Sequence, residues 1–240
     1  MSKVKLFAGV VAAGVLGLCS TSAQAALLTP EADAFVRGGS SNQNTNFGSA
    51  LSVPVKPGND LSFNRRGYVR FDVSSLSAGV TAATLTIEGS FDNGDVNGAP
   101  LTIWGLNDGN AGENWGESTI TWLNAPANLN SNSGTGIDAS EATLLGSYAD
   151  GSDVPSGGGA ATFTFDDVAL VNFLNADTDG LATLIFVAAS QGPSPISFRF
   201  DSKEATGGSG LTLDATVIPE PASAGLIGAG MLLLAARRRR

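Results

Sequence analysis

Short stretches in which apolar and polar residues alternate recur along most of the chain. Because successive side chains of a strand point to opposite faces, this pattern predicts strands that bury one side. Nine such stretches occur, at 34–37, 51–55, 68–73, 83–88, 101–104, 161–165, 183–187, 196–200 and 211–215. Clusters of Gly, Asn, Asp and Pro between them predict turns. In the third stretch, Tyr68, Arg70 and Asp72 are predicted to face away from Val69 and Phe71.

One segment has helical spacing instead of alternation. Its apolar residues recur at helical intervals, at Val168, Leu170, Val171 and Leu174. Asp166 is the predicted N-cap, and the Asp-Thr-Asp-Gly run at 177–180 ends the helix. One-sided strands need a second sheet to cover their apolar faces. The pattern therefore predicts an all-β sandwich of about nine strands with one short helix.

The first 25 residues have the three zones of a signal peptide. Lys3 and Lys5 precede an uncharged apolar run at 6–18, and Ala23-Gln24-Ala25 has the small-x-small pattern of a cleavage site. We expect a signal helix over 1–25 that is cleaved between Ala25 and Ala26. The alternative is a lipoprotein site at Cys19, which the bulky residue before it disfavours. In either case the mature chain contains no disulfide.

The last 23 residues, 218–240, have an equally specific pattern. Pro219, Glu220 and Pro221 are followed by an apolar run at 222–236. Four consecutive arginines then end the chain, Arg237, Arg238, Arg239 and Arg240. The apolar run predicts a hydrophobic helix that is short for a full membrane span, with the arginines on the cytoplasmic side. A buried C-terminal helix is the alternative, and four adjacent charges fit it poorly.

This tail resembles the PEP-CTERM sorting signal. The resemblance implies a Gram-negative bacterium that makes exopolysaccharide, and an exosortase that removes the tail near the Pro-Glu-Pro motif. It also implies transient anchoring in the inner membrane, after signal peptidase has acted at the other end. The protein is then extracellular, at the cell surface or in the matrix.

The charge of the remaining domain excludes one class of partner. Seven of the 13 basic residues and all 22 acidic residues lie between Ala26 and Glu220. The net charge of this stretch is therefore seven minus 22, or −15. Such a body repels nucleic acids and anionic lipid surfaces. The chain has no His, and its one Cys is within the signal peptide. Histidine-based triads, thiol nucleophiles and imidazole or thiolate zinc sites are therefore excluded.

Four blocks of the domain carry a second resemblance. They are 32–48 (ADAFVRGGS, then TNFG), 68–76 (YVRFDVSSL), 117–126 (ESTITWLNAP) and 198–205 (FRFDSKEA). In this order they resemble the DNRLRE family, also classed as carbohydrate-binding module family 96, over residues 30–217. The last block has one extra residue relative to the family pattern. The resemblance implies a jelly-roll-like β-sandwich over 26–217 that binds extracellular polysaccharides such as alginate.

The basic residues of the domain cluster near its two ends in sequence. They are Arg37, Lys56, Arg65, Arg66, Arg70, Arg199 and Lys203. If the first and last strands are neighbours, these side chains form one cationic patch, and guanidinium groups bind carboxylates of uronate polymers in bidentate fashion. The alternative is that they pair with local acids such as Asp72, Asp201 and Glu204.

Two acidic features are candidates for other chemistry. Glu113 and Glu117 flank Trp115 and could act as the carboxylate pair of a glycosidase; alternatively, Trp115 and Trp122 are core aromatics held by a turn. The loops at 92–95 (Asp-Asn-Gly-Asp) and 177–180 could bind calcium, the one candidate cofactor. Asp177 and Asp179 are the preferred ligands, and an Asx-rich turn is the alternative.

Three function classes follow. The first is a non-catalytic matrix protein that binds extracellular polysaccharide. The second is a polysaccharide-acting enzyme that uses paired carboxylates, and the third is a structural surface protein without a sugar ligand. Binding modules of this family usually accompany a separate catalytic domain, for which no residues remain here. The sequence therefore favours the first class and predicts that the chain is not an enzyme.

Overall fold

The computed structural model describes residues 23–58, 60–77, 79–91, 101–131, 136–148, 159–188 and 197–218. The predicted signal helix up to Ser22, the acidic loop at 92–95 and the tail from Pro219 onward lie outside these residues, as do the arginines of that tail. Within the described ranges, no helix is long and apolar enough to cross a membrane.

Eleven strands and one α-helix make up the described structure. The strands are β1 (Gln24–Leu28), β2 (Ala32–Arg37), β3 (Ser52–Val55), β4 (Arg65–Asp72), β5 (Val80–Phe91), β6 (Leu101–Leu106), β7 (Ala142–Tyr148), β8 (Gly159–Phe165), β9 (Leu181–Ala188), β10 (Phe198–Asp201) and β11 (Leu211–Val217). The helix is α1 (Val168–Ala176), and short 3-10 helices occur at Leu61–Phe63 and Ser74–Leu76. All nine predicted strands are present, so the predicted β-sandwich with one helix is confirmed.

The strands form two antiparallel sheets. In sheet one, β8 pairs with one edge of the long strand β5, while β11 and β10 follow one another along its other edge. Strand β1 then pairs with β11, and β3 pairs with β10. Sheet two has the order β2-β4-β9-β6-β7. The main core lies between the sheets and contains edge-to-face aromatic pairs such as Phe163–Phe198, whose ring centroids are 5.5 Å apart.

Strands β1 and β7 were not predicted, for different reasons. Strand β1 overlaps the expected signal-peptide cleavage site, and both Ala25 and Ala26 pair with β11. In β7 the pairing with β6 shifts register opposite Ile103 and Trp104, where Leu145 is inserted. This bulge breaks the alternation on which strand prediction depends.

A second apolar cluster covers the outer face of sheet two. Tyr68 and Ile185 are fully buried there against residues from the long segment that joins β6 to β7. That segment contributes Trp115, Ile120, Trp122, Ala125, Ala127 and Ile137; we call residues 107–141 the covering segment. Tyr68 and Arg70 therefore do face away from the inter-sheet core, but into a second interior instead of solvent.

Helix α1 begins one residue later than predicted. Asp167, not Asp166, is the N-cap, because its side chain accepts a hydrogen bond from the Ala169 N–H at 2.8 Å. Leu170 and Leu174 face the core, as their spacing predicted. The helix ends at Ala176, immediately before the predicted stop at 177–180.

Candidate functional site

Four of the seven basic side chains line one groove. Strand pairing brings them together: Arg37 is opposite Arg65 in the β2–β4 pair, and Lys56 forms an isolated bridge with Arg65. Arg199 of β10 is opposite Pro54 of β3. The groove has a volume of about 440 Å³, and Phe35, Ala50, Ser52 and Ser197 also line it. We refer to it as the cationic groove.

The surroundings of the cationic groove orient its side chains. Arg37 Nε donates to the carbonyl oxygen of Ser62 at 3.0 Å, and Arg199 Nε donates to Ser90 Oγ at 3.3 Å. Lys56 Nζ lies 5.8 Å from the ring centroid of Phe63, which is 51% exposed. Among the described residues, neither Arg37 nor Lys56 has a carboxylate partner. Cationic side chains and an exposed aromatic ring therefore share one surface.

Arg66 has a structural role beneath the covering segment. It is only 3% exposed, and its guanidinium carbon lies 4.4 Å from the ring centroid of Trp122. It donates to Asn128 Oδ1 and to the carbonyl oxygens of Leu129 and Ser131, the latter two at 3.1 and 3.0 Å. Burial lowers the pKa of this guanidinium to about 10. It is not available to an external ligand.

Arg70 is buried in a similar way further along β4. Its Nε donates to Glu31 Oε2 at 3.1 Å, and one terminal nitrogen donates to the carbonyl oxygen of Trp115 at 2.7 Å. Its guanidinium carbon also lies 5.3 Å from the Trp115 ring centroid. Arg66 and Arg70 thus anchor the covering segment to sheet two, which is why they are absent from the cationic groove.

Lys203 is held by acids, as the alternative interpretation of the basic residues predicted. Its Nζ lies 2.8 Å from Glu204 Oε1 and 3.0 Å from Glu117 Oε2. The hydrogen bonds to these two carboxylates raise the pKa of the ammonium group above its usual range. The predicted patch is thereby narrowed to the four residues of the cationic groove.

The predicted calcium ligands lie in a larger acidic cluster. Asp177 and Asp179 are joined by Asp108 and Glu113, with carboxylate oxygens all within 4.8 Å of one another. Asp177 Oδ2 accepts from the Gly180 N–H at 2.9 Å, and Asp179 Oδ1 accepts from the Leu181 N–H at 2.9 Å. The Asp179 contact is that of an Asx-turn and the Asp177 contact is a local turn contact three residues long, so the turn interpretation holds locally.

A cavity of about 400 Å³ adjoins this cluster, between α1 and sheet two. Glu113 lines it and is 3% exposed; burial, reinforced by the negative charge of Asp179, raises its pKa to about 7. Four clustered carboxylates suit a hard cation such as Ca²⁺. Sequence reasoning missed Asp108 and Glu113 because 69 residues separate Asp108 from Asp177 in the chain.

The two glutamates of the candidate catalytic pair, Glu113 and Glu117, lie in different acidic clusters. Glu113 belongs to the Asp177 cluster, whereas Glu117 contacts Lys203 and accepts a hydrogen bond from the Asp33 N–H at 2.9 Å. Trp115 and Trp122 are both buried in the cluster beneath the covering segment. The interpretation of these tryptophans as core aromatics is therefore confirmed.

Comparison with known families identifies the domain. The profile of carbohydrate-binding module family 96 matches residues 24–143, which is half of the chain. The chain belongs to carbohydrate-binding module family 96. Members of this family are non-catalytic binding modules for carbohydrates. The matched region runs from β1 into β7 and contains Arg37, Lys56 and Arg65 of the cationic groove, whereas Arg199 lies beyond it.

Comparison with solved structures adds no functional argument. The chain is similar to VP2 from the infectious bursal disease virus subviral particle, at 12% identity, with 96% of this chain and 54% of that chain covered and a TM-score of 0.17. It is also similar to a mutant VP2 protein in T=1 particles of the same virus, at 11% identity, with 96% of this chain and 52% of that chain covered and a TM-score of 0.18. The chain thus spans about half the length of either. No curated protein matches it.

Proposed function

We propose that this chain is an exported, non-catalytic protein that binds an acidic extracellular polysaccharide in the cationic groove. The observation that carries the proposal is the convergence of Arg37, Lys56, Arg65 and Arg199 on one groove. They do so in a stretch, residues 26–220, whose net charge is −15, counted as seven basic minus 22 acidic residues. Membership of a carbohydrate-binding family supports the general class of ligand.

The chemistry of the cationic groove favours uronate polymers over neutral glucans. Guanidinium groups bind carboxylates through two parallel hydrogen bonds, and each charge-assisted bond contributes about 1.5–3 kcal/mol. The exposed ring of Phe63 offers an apolar surface for a sugar ring beside Lys56. A strongly acidic protein otherwise repels polyanions, so we expect binding to be confined to this groove.

The proposal includes export and sorting. Signal peptidase would cleave between Ala25 and Ala26, and an exosortase of a Gram-negative bacterium would remove the PEP-CTERM-like tail after transient anchoring in the inner membrane. The mature DNRLRE-type domain would then act in the biofilm matrix or at the cell surface. The described fold supports this arrangement, because the first strand pairs with the last and the two ends of the domain leave it side by side.

The ends of the domain and the cationic groove lie at opposite ends of sheet one. Val217 pairs with Val80 at one end of β5, and Arg199 pairs with Ser90 near its other end. Ten strand residues correspond to roughly 33 Å. While the tail holds the protein at the membrane, this arrangement would keep the groove accessible to polysaccharide.

Affinity gel electrophoresis tests the class of ligand. We would run residues 26–218, which contain most of β1 and all of the remaining ten strands, through gels with alginate, with neutral glucan, or with neither. We expect salt-sensitive retardation on alginate alone. Equal mobility on all gels would contradict the proposal and favour a structural surface protein. Release of reducing ends from the polysaccharide would instead indicate an enzyme.

A further inference from the structure

A second acidic cluster lies away from both the cationic groove and the Asp177 cluster. It consists of Asp33 of β2, Glu117 of the covering segment and Glu204 of the turn after β10. One carboxylate oxygen from each lies within 4.8 Å of the others. We call these three residues the Asp33 cluster. Its members come from a strand of sheet two, from the covering segment and from a turn that follows a strand of sheet one, so tertiary folding alone brings them together.

Asp33 is buried, and one of its oxygens has no hydrogen-bond partner. The residue is 1% exposed, and its Oδ2 accepts from the Lys203 backbone N–H at 2.8 Å. In the described part of the chain, Asp33 Oδ1 and Glu204 Oε2 are buried without any partner. A buried carboxylate oxygen that lacks a donor or cation is costly, and such atoms are rare in native proteins.

The charges of the cluster do not balance. Lys203 Nζ contacts Glu204 Oε1 and Glu117 Oε2, at 2.8 and 3.0 Å, whereas Asp33 accepts from the Lys203 backbone N–H and not from its ammonium group. When all are ionised, three negative charges and one positive charge leave a net of −2. Lys203 also uses only one oxygen from each glutamate. The remaining charge is the charge that one divalent cation would neutralise.

We infer that the Asp33 cluster is a binding site for a divalent cation of the Ca²⁺ class. Carboxylate oxygens from several segments are the ligands that Ca²⁺ prefers, and backbone carbonyls or water complete its coordination in proteins. Bound there, the cation clamps β2 of sheet two, the turn after β10 in sheet one, and the covering segment. Its role is to stabilise the packing of these three parts.

The test uses the complete chain, which is kept in detergent because both of its ends carry apolar runs. We would strip metal with EDTA and titrate CaCl₂ by calorimetry at constant ionic strength, following thermal unfolding in parallel. All measurements use a chain that carries Asp179→Asn, because this substitution weakens Ca²⁺ binding at the Asp177 cluster, which would otherwise compete. In that background we expect one equivalent of Ca²⁺ to bind and to raise the Tm. Adding Glu204→Gln should abolish both effects.

Two outcomes would overturn the inference. The first is that the Asp179→Asn chain binds no Ca²⁺, and the second is that Glu204→Gln leaves its binding unchanged. A loss of binding in Glu204→Gln could also follow from misfolding, so Lys203→Met tests the site by a gain of affinity. Removal of the competing ammonium group should tighten Ca²⁺ binding by about tenfold or more. If Ca²⁺ binds only after this substitution, Lys203 is itself the cation that the cluster holds, and the inference is wrong.

Discussion

The arginines of β4 take different roles according to the face of the strand on which they lie. Arg66 and Arg70 alternate with apolar residues along β4 and lie under the covering segment, where Trp122 and Trp115 contact their guanidinium groups. Arg65, one residue earlier, lines the cationic groove. The sequence predicts which residues share a face of β4. It does not show that a segment some 50 residues later covers that face.

Replacement of Arg66 by alanine should strongly destabilise the fold. The substitution removes the contact with Trp122 and the hydrogen bonds to Asn128 and to the carbonyl oxygens of Leu129 and Ser131. We expect the free energy of unfolding to fall by about 3 kcal/mol in urea denaturation. Arg37→Ala, which removes one hydrogen bond from a half-buried side chain, should cost less than about 1 kcal/mol. Equal losses would contradict the structural role of Arg66.

The Asp33 carboxyl should make the stability of the calcium-free protein depend on pH. Burial raises its pKa from 3.8 to about 7, so the folded state binds this proton more tightly than the unfolded chain does. The free energy of unfolding should therefore decrease as the pH rises from about 4 through 7. Urea denaturation at several pH values in EDTA measures this. Asp33→Asn should remove the part of the dependence that comes from this carboxyl and leave the part that comes from Glu113, whereas the exposed Asp214→Asn should leave both intact.

At the scale of elements, alternation predicted strands well and the covering segment poorly. Nine strands follow from period-two patterns, because one face of each is apolar. Strand β7 is interrupted by a bulge, so its pattern is broken. The covering segment is rich in Asn and Gly and has no periodicity, although Trp115, Ile120 and Trp122 are buried. For a related reason, the sequence predicted only Asp177 and Asp179 of the first acidic cluster and none of the second as a cation site, since the members of each cluster come from different elements.

The cap of helix α1 distinguishes the sequence prediction from the structure. Asp166 and Asp167 are adjacent, and only Asp167 accepts the hydrogen bond from Ala169. We expect Asp167→Ala to lower the free energy of unfolding by about 1 kcal/mol, as is typical for loss of an N-cap. Asp166→Ala should change it by less than half as much. A larger effect of Asp166→Ala in thermal or urea unfolding would restore the original prediction.

At the scale of the whole molecule, one sheet carries both the chain ends and the groove. Strands β1 and β11 unite the two ends at one end of β5, and β10 and β3 build part of the groove at the other. The first strand predicted from the sequence, 34–37, is β2 of sheet two and does not pair with β11, and β1, which does, was not predicted. The separation of the groove from the chain ends was not predicted either, because it depends on β11 and β10 both pairing with the same edge of β5.

The central claim is that the cationic groove binds an acidic polysaccharide. The most direct measurement is the affinity of residues 26–218 for a purified alginate oligosaccharide by calorimetry. Lys56→Ala/Arg199→Ala should weaken binding at least tenfold, which corresponds to the loss of about 1.4 kcal/mol or more. The control Lys56→Arg keeps the charge at this position and leaves Arg199 in place, so it should retain most of the affinity. Unchanged affinity in the alanine variant, with the fold intact, would contradict the account.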